Sequence, residues 1–125
     1  MTENEISYKI RGAIFEIYNT VGPGLLESAY EAALYFELKK AGLKVERQIG
    51  VPFTYKDVKL DVGYRLDLIV EDKVIIEIKS VTDFSALHFK QLTTYLKLKN
   101  LKLGILVNFN TLNIREGIAR VANNI

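Results

Sequence analysis

The sequence predicts an α/β fold in which helices pack on a hairpin-rich sheet. Apolar residues recur at three- and four-residue spacing over residues 4–20 and again over about 25–41, a pattern typical of amphipathic helices. The pattern then changes to period two, which is typical of half-buried strands. We expect four such strands, at residues 43–49, 51–56, 62–70 and 74–80.

Turn and cap residues separate the predicted elements. Gly22-Pro23-Gly24 ends the first helix because proline cannot continue the hydrogen-bond ladder, and Gly42 is a suitable C-terminal cap for the second helix. The later sequence predicts a third helix over residues 84–99, a buried strand over 102–108 and a last helix from Thr111 onwards. The predicted order is therefore α-α-β-β-β-β-α-β-α.

The composition limits the kinds of site that the chain can form. A length of 125 residues fits a single domain, residues 1–125, and 49% apolar with 26% charged residues is ordinary globular composition. There is no cysteine and only one histidine, His88, so a metal ion would bind mainly oxygen ligands, which favour Mg²⁺, Mn²⁺ or Ca²⁺.

No apolar run approaches the roughly 18 residues of a membrane span, and the acidic N-terminus is unlike a secretory signal. We expect a cytoplasmic protein with no membrane contact.

Charge is distributed unevenly along the chain. Residues 1–83 contain 11 Lys/Arg against 14 Asp/Glu, whereas residues 84–125 contain 6 against 1. An acidic part beside a basic part suits nucleic acid as a polyanionic, metal-bridged partner. The alternative is a solvated surface on which lysines maintain solubility. Between Phe84 and Arg115 there is no carboxylate, and the charged residues are Lys90, Lys97, Lys99, Lys102 and Arg115.

Residues 62–80 form a predicted hairpin whose register follows from side-chain alternation. The apolar faces of its two strands coincide when the residue numbers of each pair sum to 144, which puts Leu68 opposite Ile76. The same register puts Asp67 opposite Glu77 on the other face, with β-carbons about 5 Å apart. The sequence therefore predicts two adjacent carboxylates in the sheet.

Two opposed carboxylates in a covered sheet need compensation, because each raises the pKa of the other unless a cation intervenes. A bound divalent ion would provide that compensation. The alternative is a four-membered salt network in which Lys79 and Arg65, opposed in the same register, neutralise Asp67 and Glu77. The hairpin alone does not distinguish between the two.

Further polar residues lie on the predicted helices. Glu27 is in the first turn of the second helix, where the helix dipole alone favours a carboxylate, and Tyr30 follows one turn later. His88, Gln91 and Tyr95 share one face of the third helix. For His88 and Tyr95, a structural role in the core is the alternative to contact with a substrate.

Taken together, these motifs resemble those of a known nuclease superfamily. The segment from Gly24 to Tyr30, Gly-Leu-Leu-Glu-Ser-Ala-Tyr, matches the motif of the small bacterial GxxExxY protein family. Leu66 stands where the superfamily's name has proline, a position that varies among such enzymes. The resemblance covers nearly the whole chain. The residues similar to the PD-(D/E)XK nuclease superfamily, in its RecB-like QxxxY branch, are Asp67, Glu77-x-Lys79 and Gln91-x-x-x-Tyr95.

The resemblance implies a restriction-endonuclease-like core, in which a mixed sheet of four to five strands is flanked by helices. It also implies a site for Mg²⁺, with Mn²⁺ as a substitute. The implied metal ligands are Glu27, Asp67, Glu77 and the backbone carbonyl of Ile78. The implied catalytic residues are Glu27, Asp67, Glu77, Lys79 and Gln91. The expected substrate contacts are Tyr30, His88, Tyr95, Lys90 and Lys97.

The function implied by the resemblance is a divalent-metal-dependent nuclease that hydrolyses phosphodiester bonds of nucleic acid, DNA rather than RNA. The alternative is a catalytically weak nucleic-acid-binding or adaptor module that retains the nuclease fold. A third reading is a structural dimer with a salt-bridged sheet, which would have no metal affinity. Because so short a chain has little room for a separate recognition domain, a homodimer or a protein partner could select the target.

Overall fold

The structure is a computed structural model that describes residues 1–60 and 63–124. Its helices are α1 (Glu3–Val21), α2 (Glu27–Lys40) and α3 (Ala86–Lys99). Its strands are β1 (Val45–Gly50), β2 (Phe53–Tyr55), β3 (Val58–Leu60), β4 (Arg65–Val70), β5 (Val74–Lys79), β6 (Leu103–Asn108) and β7 (Ile118–Ala122). The predicted α/β class is confirmed, and the first three helices lie within a few residues of their predicted bounds.

Five of the strands form one mixed sheet in the order β1-β4-β5-β6-β7. β5 and β6 are parallel and are connected through α3, whereas the other neighbours in the sheet are antiparallel. The predicted hairpin register is confirmed where the ladder forms, since Val70 pairs with Val74 and Leu68 with Ile76. The central strand β5 is therefore fixed on one side by an antiparallel partner and on the other by a parallel partner.

The segment between β1 and β4 differs from the prediction. A single strand over 51–56 was expected there, but β2 and β3 form a separate two-stranded hairpin. Lys56 and Asp57 both have positive φ, at 48° and 63°, which is the conformation of a tight hairpin turn. The predicted strand 62–70 began at Val62, which lies outside the described residues, and β4 begins at Arg65.

The predicted last helix from Thr111 is wrong. A short 3₁₀ turn, Ile114–Gly117, is followed by β7, which pairs antiparallel with β6 and covers its free edge. Gly117 explains part of the difference, because its backbone approaches the carbonyl oxygen of Asn108 so closely that a β-carbon would not fit. β7 also covers the edge of β6, which would otherwise expose a row of backbone donors and acceptors.

The sheet separates two apolar cores. On one face α1 and α2 pack against residues that include Leu68, Ile76 and Ile105. On the other face Leu92 and Leu96 of α3 pack against the sheet. Every residue of β5 from Val74 to Ile78 is buried, so this strand has both faces covered. No helix within residues 1–60 and 63–124 is long and apolar enough to cross a membrane.

Tyr30 has a different position from the one that its predicted contact with substrate requires. Its side chain is fully buried and stacks on Phe109, with ring centroids 4.1 Å apart and planes 2° apart. Its hydroxyl donates to the carbonyl oxygen of Gly22 at 2.6 Å and accepts from the amide of Leu25 at 3.1 Å. Tyr30 therefore fixes the turn before α2, and through it the position of Glu27, instead of facing a ligand.

We expect Tyr30→Phe to lower the free energy of unfolding by about 1 kcal/mol, because the ring still stacks but two hydrogen bonds to the turn are lost. Urea denaturation followed by circular dichroism measures the change. Tyr8→Phe is the matched control, since Tyr8 is 80% exposed on α1. An unchanged midpoint for Tyr30→Phe would show that the turn does not depend on this hydroxyl.

Candidate active site

The strands β4 and β5 separate at the position where the carboxylates lie. Their ladder ends at the pair Leu68 and Ile76, although β4 begins at Arg65 and β5 continues to Lys79. Beyond the ladder each strand remains paired only with its outer neighbour, β4 with β1 and β5 with β6. The hairpin therefore opens into a notch between two strands that are each held by another partner.

Asp67 and Glu77 occupy this notch. The amide of Ile78 donates to Oδ2 of Asp67 at 2.7 Å, and the amide of Asp67 makes a longer contact with Oε1 of Glu77, at 3.4 Å. Each carboxylate thus accepts from the backbone of the opposite strand, where ladder hydrogen bonds would otherwise form. The adjacency of Asp67 and Glu77 predicted from the register is present, although the regular ladder does not extend to them.

Burial strongly favours the neutral form of these acids. Glu77 is 5% exposed. It lies two residues after Ile75 in β5, so both side chains face the α3 side of the sheet. Burial, followed by the neighbouring charge of Asp67, raises the pKa of Glu77 to about 9. Burial also raises the pKa of Asp67, while its hydrogen bonds from Ile78 and Glu77 lower it. At neutral pH and without a cation, the pair therefore retains a proton on Glu77, which donates to Asp67.

The alternative salt network is not formed. The ion pairs among the described residues join Lys44 to Glu46 and Asp72, and Arg47 to Glu31, and none of them includes Asp67 or Glu77. The Arg65 side chain instead makes a long contact, 3.4 Å from Nη1 to the carbonyl oxygen of Gln48.

Lys79 is a cation whose charge acts on the pair. It lies two residues after Glu77 on β5 and is half-buried. Its positive charge lowers the pKa of both Asp67 and Glu77, although the effect is smaller than that of burial. Lys79 is thus near enough to influence the carboxylates without neutralising them in an ion pair.

Glu27 lies beside the notch but does not join the carboxylate pair. Its Oε2 accepts from the amide of Ser80 at 3.0 Å, so the start of α2 is attached to the end of β5. Ser80 is three residues after Glu77, a separation of about 10 Å along an extended strand. Accordingly, no group of three acidic or histidine side chains close enough to hold a metal ion occurs in the part of the chain that the structure describes. The structure therefore brings Asp67 and Glu77 together and places Glu27 apart from them, at the amide of Ser80.

The third helix places Tyr95 near Glu77, and Gln91 lies one turn before Tyr95. Tyr95 is 5% exposed, and burial, followed by the negative charge of Glu77, raises the pKa of its hydroxyl. Gln91 is exposed one turn earlier, and both residues line a cavity of about 260 Å³. Lys90 and Lys97 are exposed on the same helix.

His88 has a structural contact. Its Nδ1 accepts from the amide of Ser85 at 3.1 Å and forms half of a capping box at the start of α3. Its ring also lies edge-on to Phe84, with centroids 6.4 Å apart. The structural role considered for His88 therefore has direct support, while Nε2 makes no hydrogen bond among the described residues.

The sequence reasoning missed Glu31. This residue of α2 is buried, and it accepts from Arg47 Nη2 at 3.1 Å and from the side-chain Nε2 of Gln48. Its charge contributes to the raised pKa of Asp67. Gln48 has φ 49°, and the ladder between β1 and β4 omits the pair Gln48 and Asp67. The available signal was the position of Glu31 one turn after Glu27, on the face that meets the sheet.

The donor set fits a hard divalent ion. Mg²⁺ usually binds through one or two carboxylates and retains several waters or substrate oxygens, so Asp67 and Glu77 suffice without a third protein carboxylate. The amide of Ile78 points towards Asp67, and in an extended strand the carbonyl of the same residue points to the same side. A cation in the notch would also relieve the unfavourable burial of two acids.

Comparison with known proteins agrees with this geometry. The model of the PD-(D/E)XK nuclease superfamily matches residues 4–121. The chain belongs to this superfamily, and its two N-terminal helices, five-stranded mixed sheet and flanking helix are consistent with a restriction-endonuclease-like core. No curated protein and no solved structure matches the chain.

We expect Glu77→Gln to stabilise the metal-free protein as the pH rises. The pKa of Glu77 is about 9 in the folded protein, against an ordinary value of 4.5. Between these pH values Glu77 is ionised in the unfolded chain but protonated in the folded protein, so the stability of the wild type falls as the pH rises. Glutamine is neutral throughout and can still donate to Asp67. As the pH rises from about 5 to about 8, the free energy of unfolding of the variant should increase by roughly 2–4 kcal/mol relative to that of the wild type.

Urea denaturation in the presence of a chelator, at both pH values, measures this difference. Glu16→Gln is the matched control, because Glu16 is exposed on α1 and should show no pH-dependent gain. If the wild type and Glu77→Gln lose stability in parallel, Glu77 is ionised in the folded protein and the shared proton is wrong.

Proposed function

We propose that the protein is a divalent-metal-dependent nuclease that hydrolyses phosphodiester bonds of nucleic acid, with DNA preferred over RNA. The observation that carries this proposal is the buried pair Asp67 and Glu77, in which burial raises the pKa of both acids and for which the described residues supply no ion-pair partner. Membership in the nuclease superfamily supports it. We also infer that the Gly24–Tyr30 motif assigns the chain to the GxxExxY branch.

Asp67, Glu77 and the backbone carbonyl of Ile78 would hold Mg²⁺, for which Mn²⁺ could substitute. When bound, the ion would neutralise charge on the scissile phosphate and lower the pKa of a water molecule. Glu27, whose carboxylate is anchored to the amide of Ser80, would contribute through a water or help to hold a second ion.

Lys79 and Gln91 would act on the attacking water and the phosphate. The ammonium of Lys79, on the same strand as Glu77, would orient the water and stabilise its hydroxide form. The exposed amide of Gln91 can both donate and accept, so it would position either Lys79 or a phosphate oxygen. The hydroxyl of Tyr95, whose raised pKa keeps it protonated, would donate a hydrogen bond at the same edge of the site.

The exposed face of α3 would hold the nucleic-acid backbone. Lys90 and Lys97 are seven residues apart, two helical turns, and therefore project from the same side. Contacts of this kind are made to phosphates and carry no base preference. Nε2 of His88 lies on the same helix and would add a further polar contact.

We expect Mg²⁺ or Mn²⁺ to bind with release of about one proton per ion at neutral pH, because the proton on Glu77 must leave when the cation enters. Below the pKa of Glu77, the apparent affinity should then rise about tenfold per pH unit. Calorimetric titration in buffers of different ionisation enthalpy measures the protons released. The Asp67→Asn/Glu77→Gln double variant should show no binding.

Cleavage of a labelled nucleic acid by the same preparations tests the activity. Lys79→Met should keep metal binding but lower the cleavage rate by roughly 100-fold or more, whereas Lys102→Met, an exposed lysine on another segment, should change neither. Metal binding without cleavage of any substrate would favour the nucleic-acid-binding module. Absence of both would overturn the proposal.

We expect Lys90→Ala/Lys97→Ala to weaken nucleic-acid binding and to flatten its dependence on salt. Loss of two phosphate contacts should reduce the slope of log K against log salt by about 1.8 for duplex or about 1.4 for single strands. Fluorescence anisotropy over a series of salt concentrations gives the slope. Lys9→Ala/Lys40→Ala removes the same charge from α1 and α2, and an equal effect there would mean that only net charge matters.

A further inference from the structure

A small aromatic cavity lies between the β2–β3 hairpin and helix α3, next to the candidate active site. Its volume is about 260 Å³, and its apolar walls come from Phe53, Tyr64, Tyr95 and Leu98. Pockets for drug-sized ligands occupy roughly 300–1,000 Å³, so this cavity is suited to a single ring system. Tyr95 belongs to both the cavity and the surroundings of Glu77.

The rings in this cavity are tilted or edge-on to one another, and no face of Tyr64 is covered by a parallel ring among the described residues. Tyr64 is 46% exposed, and its ring centroid lies 6.4 Å from that of Phe53 and 6.3 Å from that of Tyr95. The interplanar angles are 53° and 61°, whereas the buried pair of Tyr30 and Phe109 is parallel. Tyr64 is therefore a solvent-accessible ring with no parallel stacking partner among the described residues. A flat heteroaromatic ligand can supply such a partner.

Cationic side chains adjoin the aromatic cavity. A second hollow of about 420 Å³ shares Tyr64 as a wall and carries the side chains of Lys59 and Arg65. Both side chains are exposed, and neither forms an ion pair in the described part of the chain. The surface around Tyr64 thus combines an apolar, aromatic pocket with positive charge, which is complementary to a base attached to a phosphate backbone.

The cavity lies close to the carboxylate pair. Tyr64 precedes Asp67 by three residues, so their α-carbons are at most about 11 Å apart. Gln91 lies at the rim of the cavity with a side-chain amide that makes no hydrogen bond among the described residues. An amide in this position can read the edge of a base or contact its phosphate.

We propose that the pocket formed by Phe53, Tyr64 and Tyr95 binds one unpaired nucleobase beside the carboxylate pair, so that the substrate is single-stranded or frayed nucleic acid. In a duplex both faces of a base are covered by its neighbours, and a pocket of this kind admits a base only after it leaves the stack. The inference rests on the proposed nuclease function for its purpose, but the binding step can be measured without cleavage.

The test is fluorescence anisotropy with a labelled single strand and a duplex of the same sequence, in a chelator so that no cleavage occurs. Tyr64→Leu, which keeps apolar bulk but removes the ring, should weaken single-strand binding roughly 5- to 100-fold, the range of one base–aromatic stack. Tyr64→Phe, which keeps the ring, should bind the single strand as tightly as the wild type. The affinity for the duplex should change much less in Tyr64→Leu. Tyr8→Leu, at an exposed aromatic residue on α1, is the matched control.

Two further arms make the result decisive. The first arm uses a series of strands, each with one abasic site at a different position. The wild type should bind one of these strands more weakly than the others, whereas Tyr64→Leu should bind all of them equally. If Tyr64→Leu does not fold, as judged by its unfolding transition, Phe53→Leu replaces it with the same expectation. DNA and RNA strands are compared to learn which sugar is preferred.

Unchanged single-strand binding by both Leu variants, or an equal loss for duplex and single strand, would overturn the inference. Failure of the nuclease proposal is a separate result. Ring-dependent binding of single strands without cleavage under any metal would retain the base pocket and reject the nuclease. Metal-dependent cleavage that does not depend on the Tyr64 ring would retain the nuclease and reject the pocket.

Discussion

The structure around the site depends on one constraint, which is that two acidic side chains are buried where two strands of a hairpin separate. Asp67 and Glu77 each accept from the backbone of the opposite strand, so they replace the ladder hydrogen bonds that are lost when β4 and β5 diverge. This replacement requires one of the two acids to stay protonated in the absence of a cation, because burial penalises each negative charge. Without a metal ion, the notch is therefore stable only while one of the two acids is protonated.

The rest of the fold holds this unfavourable arrangement in position. β5 is buried on both faces and pairs with β6 along its whole length from Val74 to Lys79, so the central ladder fixes the backbone of Glu77. β4 is held from the other side by β1, on which Gln48 adopts a left-handed backbone conformation opposite Asp67. Strained backbone of this kind costs roughly 1–3 kcal/mol and persists only where surrounding packing fixes it. The two apolar cores supply that packing.

Sequence alternation was sufficient to predict the features that depend on local periodicity. It gave the pairing of Leu68 with Ile76, and from this the adjacency of Asp67 and Glu77, because one face of each strand had to be apolar. It failed where pairing is decided at long range. β1 pairs with β4, beyond the intervening β2–β3 hairpin, and residues 118–122 form an edge strand because β6 needed a partner. Tyr30 and Glu31 were misjudged or missed because their roles depend on which residues α2 meets in the folded protein.

The distribution of cations explains why the acidic pair is left for another ligand. Arg47 pairs with the buried Glu31, which would otherwise be an uncompensated charge beside Asp67. Lys44 pairs with Glu46 and Asp72 at the far end of the hairpin. Lys79 has a charge that lowers the pKa of both Asp67 and Glu77, but it forms no ion pair with either of them. A full salt network would have neutralised the pair. In the observed arrangement Asp67 and Glu77 accept backbone hydrogen bonds but have no ion-pair partner among the described residues, and a divalent cation would take that role.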